Sequence, residues 1–250
     1  MGLLDDYSNQ AQSYDSTRAA SPSVLDPLRE ALAGAPGPTL LDVGGGTGNY
    51  ALALAREGWQ PVVLDRSPAM LEHASAKGLT TLRGDATALP LADESYDAVM
   101  LVSMLHHVDD RPRALAEARR VLRPGGRLAV MLFTREDIAG DASVDYFPSS
   151  RAWMDETHPS LRELLDALPG ARRIALVYED AIDGSVAALM AQPELLLDPA
   201  RRTQTSFFER MQRDHPDELR AGLQRLESDL HAGRAPRSPG GASVLAWTKP

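Results

Sequence analysis

The sequence predicts an α/β fold in which a doubly wound, mostly parallel seven-stranded sheet carries helices on both faces. Short apolar runs alternate with segments of helical spacing, Gly and Pro clusters separate them, and a run of glycines directly follows the first buried strand. At 250 residues and 27.0 kDa the chain has room for one complete core, taking roughly 100–200 residues per domain.

Each element has its own signal. A helix is expected from Ser23 to Leu32, stopped by the cluster from Gly34 to Pro38. Thr39 to Val43 follows as a short buried strand, then the glycines, then a helix from Tyr50 to Glu57 closed by Gly58. Pro61 to Leu64 reads as a second strand, Ala69 to Lys77 as a helix capped by Gly78, Leu79 to Leu82 as a third strand and Tyr96 to Val102 as a fourth. Arg113 to Leu122 has helical spacing and stops at Pro124-Gly125-Gly126, so the unbroken apolar run Arg127 to Phe133 is the fifth strand. Strands alternating with helices imply right-handed crossovers and parallel pairing. Ser160 to Leu168 is an amphipathic helix ended by Pro169-Gly170, and Ile174 to Tyr178 and Ala242 to Thr248 complete the sheet.

Between those last two strands lie about 60 residues of mainly helical pattern, Val186 to Leu197, Arg202 to Arg213 and Pro216 to Ala232. That length exceeds any simple hairpin loop. A helical cap inserted before the last strand is expected, with an oligomerisation element as the other reading. The domain reading is one unit over 1–250, with an N-terminal helical lid at 1–36, a core at 37–180 and 241–250, and a helical insertion at 181–240.

Composition narrows the function. With 35 acids against 26 bases, the net charge of −9 argues against a protein whose work is neutralising phosphates on nucleic acid or an anionic membrane. The absence of cysteine removes disulfides, thiolate metal sites and cysteine nucleophiles, and lysine occurs only at Lys77 and Lys249. No apolar run is long enough to span a bilayer, and MGLLDDYSNQ lacks the basic and apolar regions of a secretory signal. A cytoplasmic protein is expected, a monomer or homodimer.

The segment Leu41 to Tyr50 carries the most information. Glycines after a buried strand let the backbone turn sharply and approach a ligand, while the following helix presents free N–H groups. A nucleotide-like ligand follows. Two readings compete. Gly46-Thr47-Gly48-Asn49-Tyr50-Ala51 satisfies the dinucleotide pattern G-x-G-x-x-A, with Asp65 nineteen residues past Gly46 where a ribose acid belongs. The strand end sets another register, Asp42-x-Gly44-x-Gly46-x-Gly48, with an acid two residues before the first glycine.

That second register resembles the first motif of class I S-adenosylmethionine-dependent methyltransferases, a Rossmann-like family. An acid there would repel a pyrophosphate and attract a cofactor that carries a sulfonium and an ammonium. The resemblance continues through Val62 to Leu71, Gly84-Asp85-Ala86, Ser95 to Asp110 and Val121 to Leu128, in order and with matching gaps, over residues 39 to 133. It implies S-adenosylmethionine as cofactor and S-adenosylhomocysteine as product. By the same resemblance Gly44, Gly46 and Gly48 form the cofactor loop, Asp42 holds the ammonium through water, and Asp65 accepts from both ribose hydroxyls. Asp85 and the Ala86 backbone N–H would bind the adenine edge, Arg66 and Met70 pack round the ring, and Val102 lies at the end of the fourth strand beside the cofactor. Tyr14 and Arg18, in Ser-Tyr-Asp-Ser-Thr-Arg, resemble the family's N-terminal Y-D-x-x-R segment over the methionine end.

Transfer from an activated methyl donor asks the protein chiefly for alignment in a dry pocket. A hydroxyl acceptor must also lose its proton. Of the six histidines, at 73, 106, 107, 158, 215 and 231, His106 and His107 lie nearest the expected methyl position and are the base candidates, with bracing of the turn as the alternative. No third clustered ligand suggests a metal, and His158 and His215, each before a proline, read as turn or cap residues. The aromatic-rich stretch Asp145 to Met154 is expected to line an acceptor pocket, and Arg201, Arg202, Phe207 and Phe208 either close over it as a lid or pack the extra helices. The favoured reading is methyl transfer to an O, N or C nucleophile of a small molecule, in specialised biosynthesis. Two alternatives stay open, an NAD(P)-dependent oxidoreductase, against which stand Asp42, the Gly84-Asp85-Ala86 segment and the lack of a Tyr-x-x-x-Lys motif, and a non-catalytic S-adenosylmethionine-binding protein.

Overall fold

The computed structural model describes residues 19–203, 205–234 and 241–250. Helix α1 (Pro22–Leu32) precedes strand β1 (Thr39–Val43), followed by α2 (Asn49–Ala55), β2 (Gln60–Asp65), α3 (Pro68–Ala76), β3 (Thr80–Arg83) and β4 (Tyr96–Val102). A 3-10 turn, Leu105–His107, leads to α4 (Arg111–Val121) and β5 (Leu122–Leu132). Four short helices come next, α5 (Arg135–Ala139), α6 (Ser143–Tyr146), α7 (Ser150–Thr157) and α8 (Leu161–Ala167), and then β6 (Arg172–Val177). Between β6 and the last strand, β7 (Gly241–Thr248), lie α9 (Val186–Met190), a 3-10 turn at Pro193–Leu197, α10 (Pro199–Arg202), α11 (Ser206–Asp214) and α12 (Pro216–His231).

The seven strands form one sheet in the order β3-β2-β1-β4-β5-β7-β6. Strands β1 to β5 pair in parallel, and β7 runs antiparallel to both β5 and β6. The order reverses between β1 and β4, so the loops leaving their C-terminal ends diverge to opposite faces and open a crevice there. Side chains on the central strands alternate between two apolar layers. Leu40 and Met100 pack with α1 and α3, while Leu41 and Val99 pack with α4 and α8.

Several boundaries differ from the sequence reading. Strand β5 begins at Leu122, because Leu122 pairs with Tyr96 and Arg127 with Ala98, and Gly125 at φ +76° lets the intervening residues bulge out. The expected helix from Val186 breaks at Pro193, and the next one divides into α10 and α11. Of the expected N-terminal lid at 1–36, the described part includes α1, which packs against the sheet. Val24, Leu25, Leu28, Ala31 and Leu32 are buried in the sheet layer, and residues 1–18 lie outside the described residues.

A third apolar cluster builds the cap from two separate stretches of chain. Tyr146 and Phe147, ahead of β6, pack with Met190, Phe207, Phe208, Met211 and Leu226 from beyond it. Close approach of α12 depends on Gly222, where a Cβ would lie 2.5 Å from the Tyr146 carbonyl oxygen and 2.6 Å from Phe147 Cε1. Gly222→Ala would gain about 1 kcal/mol in helix propensity, against overpacking of roughly 1–3 kcal/mol, here directed at rigid backbone. The expected net is a destabilisation of up to about 2 kcal/mol in urea unfolding; a stabilised variant would show that α12 can retreat without cost.

Candidate functional site

A cavity of about 1380 Å³ opens at the C-terminal ends of β1, β2 and β4. Its floor is the glycine loop. After β1 the chain is pulled toward β2, the Gly44 and Gly45 N–H groups donating to the Leu64 carbonyl at 2.7 and 3.2 Å. Gly48 closes the turn at φ +75°, where a Cβ would meet Leu79 Cδ1 at 2.5 Å. Beneath the loop lies Asp42. Its side chain is buried at 2 % exposure, and a Cβ on Gly45 would come within 2.4 Å of its Oδ2. Oδ1 has no hydrogen-bond partner among the described residues. Burial, and secondarily the charge of Asp65, push the Asp42 carboxyl up to about 8.

Asp65, at the end of β2, holds the loop from the other side. Its Oδ2 accepts from the Gly46 N–H at 3.0 Å and its Oδ1 from the Ser67 N–H at 2.9 Å. Each oxygen keeps a further lone pair. Lys77 braces the loop's exit by donating to the Thr47 carbonyl at 2.9 Å and to Asn49 Oδ1 at 2.6 Å. Asp85 also lines the cavity, held below the usual carboxylate range chiefly by the Thr87 backbone N–H and then its hydroxyl. Ala86, Met70, Val102 and the exposed Arg66 complete this side. Tyr14 and Arg18 lie outside the described residues, though Ala19 lines the cavity and donates to the Ile182 carbonyl at 3.0 Å. Across the loop, the Tyr50 hydroxyl donates to Asp183 Oδ2 at 2.6 Å.

The opposite wall begins at β4. Ser103 takes φ +51°, a conformation costly for a residue with a Cβ, and so turns the chain into the segment that carries His106 and His107. Their rings lie 3.8 Å apart, and His106 stacks on His158 at 5.0 Å with the planes 12° apart. His158 was not expected here. Thr-His-Pro does read as a helix end, and His158 is the C-cap of α7, but its ring turns inward and is 7 % exposed. Its Nδ1 lies 3.1 Å from the Met154 carbonyl, an acceptor only, so Nδ1 carries the proton and Nε2 the lone pair. Burial lowers its pKa to about 4 and keeps it neutral.

Arg111 joins the two histidine segments. Its Nε donates to the Leu105 carbonyl at 3.2 Å and its Nη2 to the Thr157 carbonyl. Among the described residues no group of three or more His, Asp or Glu side chains is arranged to hold a metal. Of the aromatic stretch at 145–154, only Trp153 and its neighbour Met154 line the cavity, whereas Tyr146 and Phe147 are buried in the cap. Phe207 lines the cavity and Phe208 packs behind it, while Arg201 and Arg202 stay clear of it. Arg210, one helical turn beyond Phe207, reaches the cavity in their place.

Residues 41–130 match the family model for a methyltransferase domain. The demethylmenaquinone methyltransferase of Renibacterium salmoninarum is 39% identical over 131 residues, which are 52% of this chain and 54% of that protein. The chain thus spans about half the length of the curated relatives it matches. A Thermotoga maritima structure described as an SAM-dependent methyltransferase, possible histamine N-methyltransferase, is 30% identical, covering 68% of this chain and 82% of that one at a TM-score of 0.55. The fold also matches a putative methyltransferase from an antibiotic biosynthesis pathway of Anabaena variabilis, with a TM-score of 0.76, 24% identity and coverage of 92% and 98%.

Asp42 generates a prediction. Because its folded pKa of about 8 exceeds the unfolded value of 3.8, its stability contribution is full below the ordinary carboxylate range and is lost as pH rises through 8. A cationic ligand over the loop favours the ionised form, so binding of the S-adenosylmethionine that the sequence resemblance implies is expected to release close to one proton at pH 7, with affinity rising with pH up to about 8. Titration calorimetry in buffers of different ionisation enthalpy measures that proton, and Asp42→Asn should abolish it. A buffer-independent enthalpy for the unsubstituted protein would contradict the assignment.

Proposed function

Because the chain belongs to the class I S-adenosylmethionine-dependent methyltransferases, we propose that it moves a methyl group to an oxygen, nitrogen or carbon nucleophile of a small molecule in a biosynthetic pathway. One observation carries the reading, a buried carboxyl group, its Oδ1 without a hydrogen-bond partner among the described residues, beneath a glycine loop that opens onto the same cavity as His106, His107 and His158. The residues fit the cofactor. Asp42 offers a carboxyl to a cation, and Asp65 and Asp85 offer lone pairs to hydroxyl and amino donors. When bound, S-adenosylmethionine supplies a methyl group already activated by its positive sulfur.

What remains for the protein is alignment and proton removal. The flat stack of His106 on His158 and the Arg111 clamp hold the imidazoles in place. His106 or His107 then takes the proton of a hydroxyl acceptor, while His158, neutral down to about pH 4, does not compete. The acceptor wall draws on Trp153, His158, Phe207 and Arg210, all beyond the matched residues 41–130, so the quinone named for the Renibacterium relative is not carried over to this chain.

The test is release of S-adenosylhomocysteine from labelled cofactor against a small-molecule library. Once an acceptor with a hydroxyl is in hand, alanine at His106 or His107 is expected to lower kcat about 100-fold, with cofactor affinity within twofold. Unchanged rates in both variants across neutral pH would remove the base assignment; cofactor binding without turnover on any acceptor would favour a binding protein instead.

A further inference from the structure

The acceptor side of the cavity holds a cation whose hydrogen bonds are unspent. Arg210 lies on α11, on the same face as Phe207, and its guanidinium stacks over the Trp153 ring at 4.7 Å from the centroid. The Trp153 ring itself lies 5.4 Å from that of Phe207. Among the described residues one acid comes within 4 Å of the Arg210 guanidinium, and it is bound more closely elsewhere. Asp214 accepts from Arg213 Nε at 2.8 Å and Nη2 at 3.1 Å, and comes no closer than 3.5 Å to Arg210. No described residue hydrogen-bonds to the Arg210 guanidinium, and both its Nε and the neighbouring Trp153 Nε1 are shielded from solvent without a partner.

We propose that Arg210, stacked on Trp153, anchors an ionised oxygen on a flat, conjugated methyl acceptor, a carboxylate, phenolate or enolate. The inference rests on the methyl-transfer reading and names the class of its acceptor. A guanidinium placed over a ring keeps its five N–H donors in its own plane, where a planar oxyanion meets two of them at once. Trp153 and Phe207 supply the apolar walls that a conjugated skeleton needs. A neutral acceptor of the same shape would cover those donors without satisfying them, so discrimination comes from the unmet bonds as much as from the charge.

Titration of S-adenosylhomocysteine-loaded protein with 2-naphthoate and with the neutral 2-naphthamide tests this. The expected result is at least tenfold tighter binding of the naphthoate. Arg210→Met should shrink that preference to within twofold without changing S-adenosylhomocysteine affinity, Arg210→Lys should keep part of it, and Arg213→Met should keep it whole. Equal affinity for the two probes, binding of neither, or a preference that survives in Arg210→Met would overturn the proposal. Repeating the titration without S-adenosylhomocysteine separates it from the reading beneath it. Failure to bind that nucleoside sinks methyl transfer, while the naphthoate preference of the unloaded protein still decides the subsite.

Discussion

The burial of one carboxyl group under a glycine loop is the constraint on which the site depends. Asp42 is on a strand paired on both sides, opposite Val63 of β2 and Met100 of β4, and so has no route to water along the sheet. Leaving an ionised group there uncompensated would cost several kcal/mol, which is why the carboxyl holds its proton. The loop must then pass directly above it, and only a residue without a Cβ fits at position 45. Asp65 takes the Gly46 N–H and Lys77 takes the Thr47 carbonyl, so the loop is fastened at both ends by side chains from β2 and from the turn after α3. Sheet order, loop chemistry and charge thus converge on one point.

The two halves of the cavity are built by different physics. On the loop side, acidic side chains and backbone groups line the cavity, and the elements that carry them are short and consecutive in sequence. The other wall is assembled from distant segments, with rings packed against one another: His106 stacked flat on His158, Trp153 tilted by 53° against Phe207, and the Arg210 guanidinium over Trp153. Stacking of this kind fixes planes more than positions. Fixing planes suits a wall that must orient a flat molecule rather than hold a small set of donors.

That division explains what was legible in the sequence. The five parallel strands declare themselves as apolar runs, and Asp42, the glycine loop, Asp65 and Asp85 lie at or just past strand ends at spacings set by local geometry. His158 lies 51 residues past His107 and ahead of a proline, where a helix end is the natural reading, and only tertiary packing brings it onto His106. Arg210 carries no local signal either, since an arginine in an amphipathic helix reads as a solvated face. The aromatic stretch at 145–154 was visible, yet its spacing could not say that Phe147 serves the cap while Trp153 serves the cavity. The boundaries near Pro193 and Gly125 differ from the sequence reading because proline and a positive φ act on boundaries more than on identities.

The position of the last strand bears on how the chain folds as it is made. Strand β6 lies at the edge of the sheet, and its single neighbour there is β7. Residues 172–177 therefore emerge from the ribosome with no strand to pair with, and 63 residues pass before Gly241 appears. At roughly 5–20 residues per second the wait is about 3–13 s. During that interval β5 also exposes the edge that β7 will cover, a template for mispairing. The cap helices are synthesised in the same interval and have time to form locally, so sheet closure is the late, long-range step of folding.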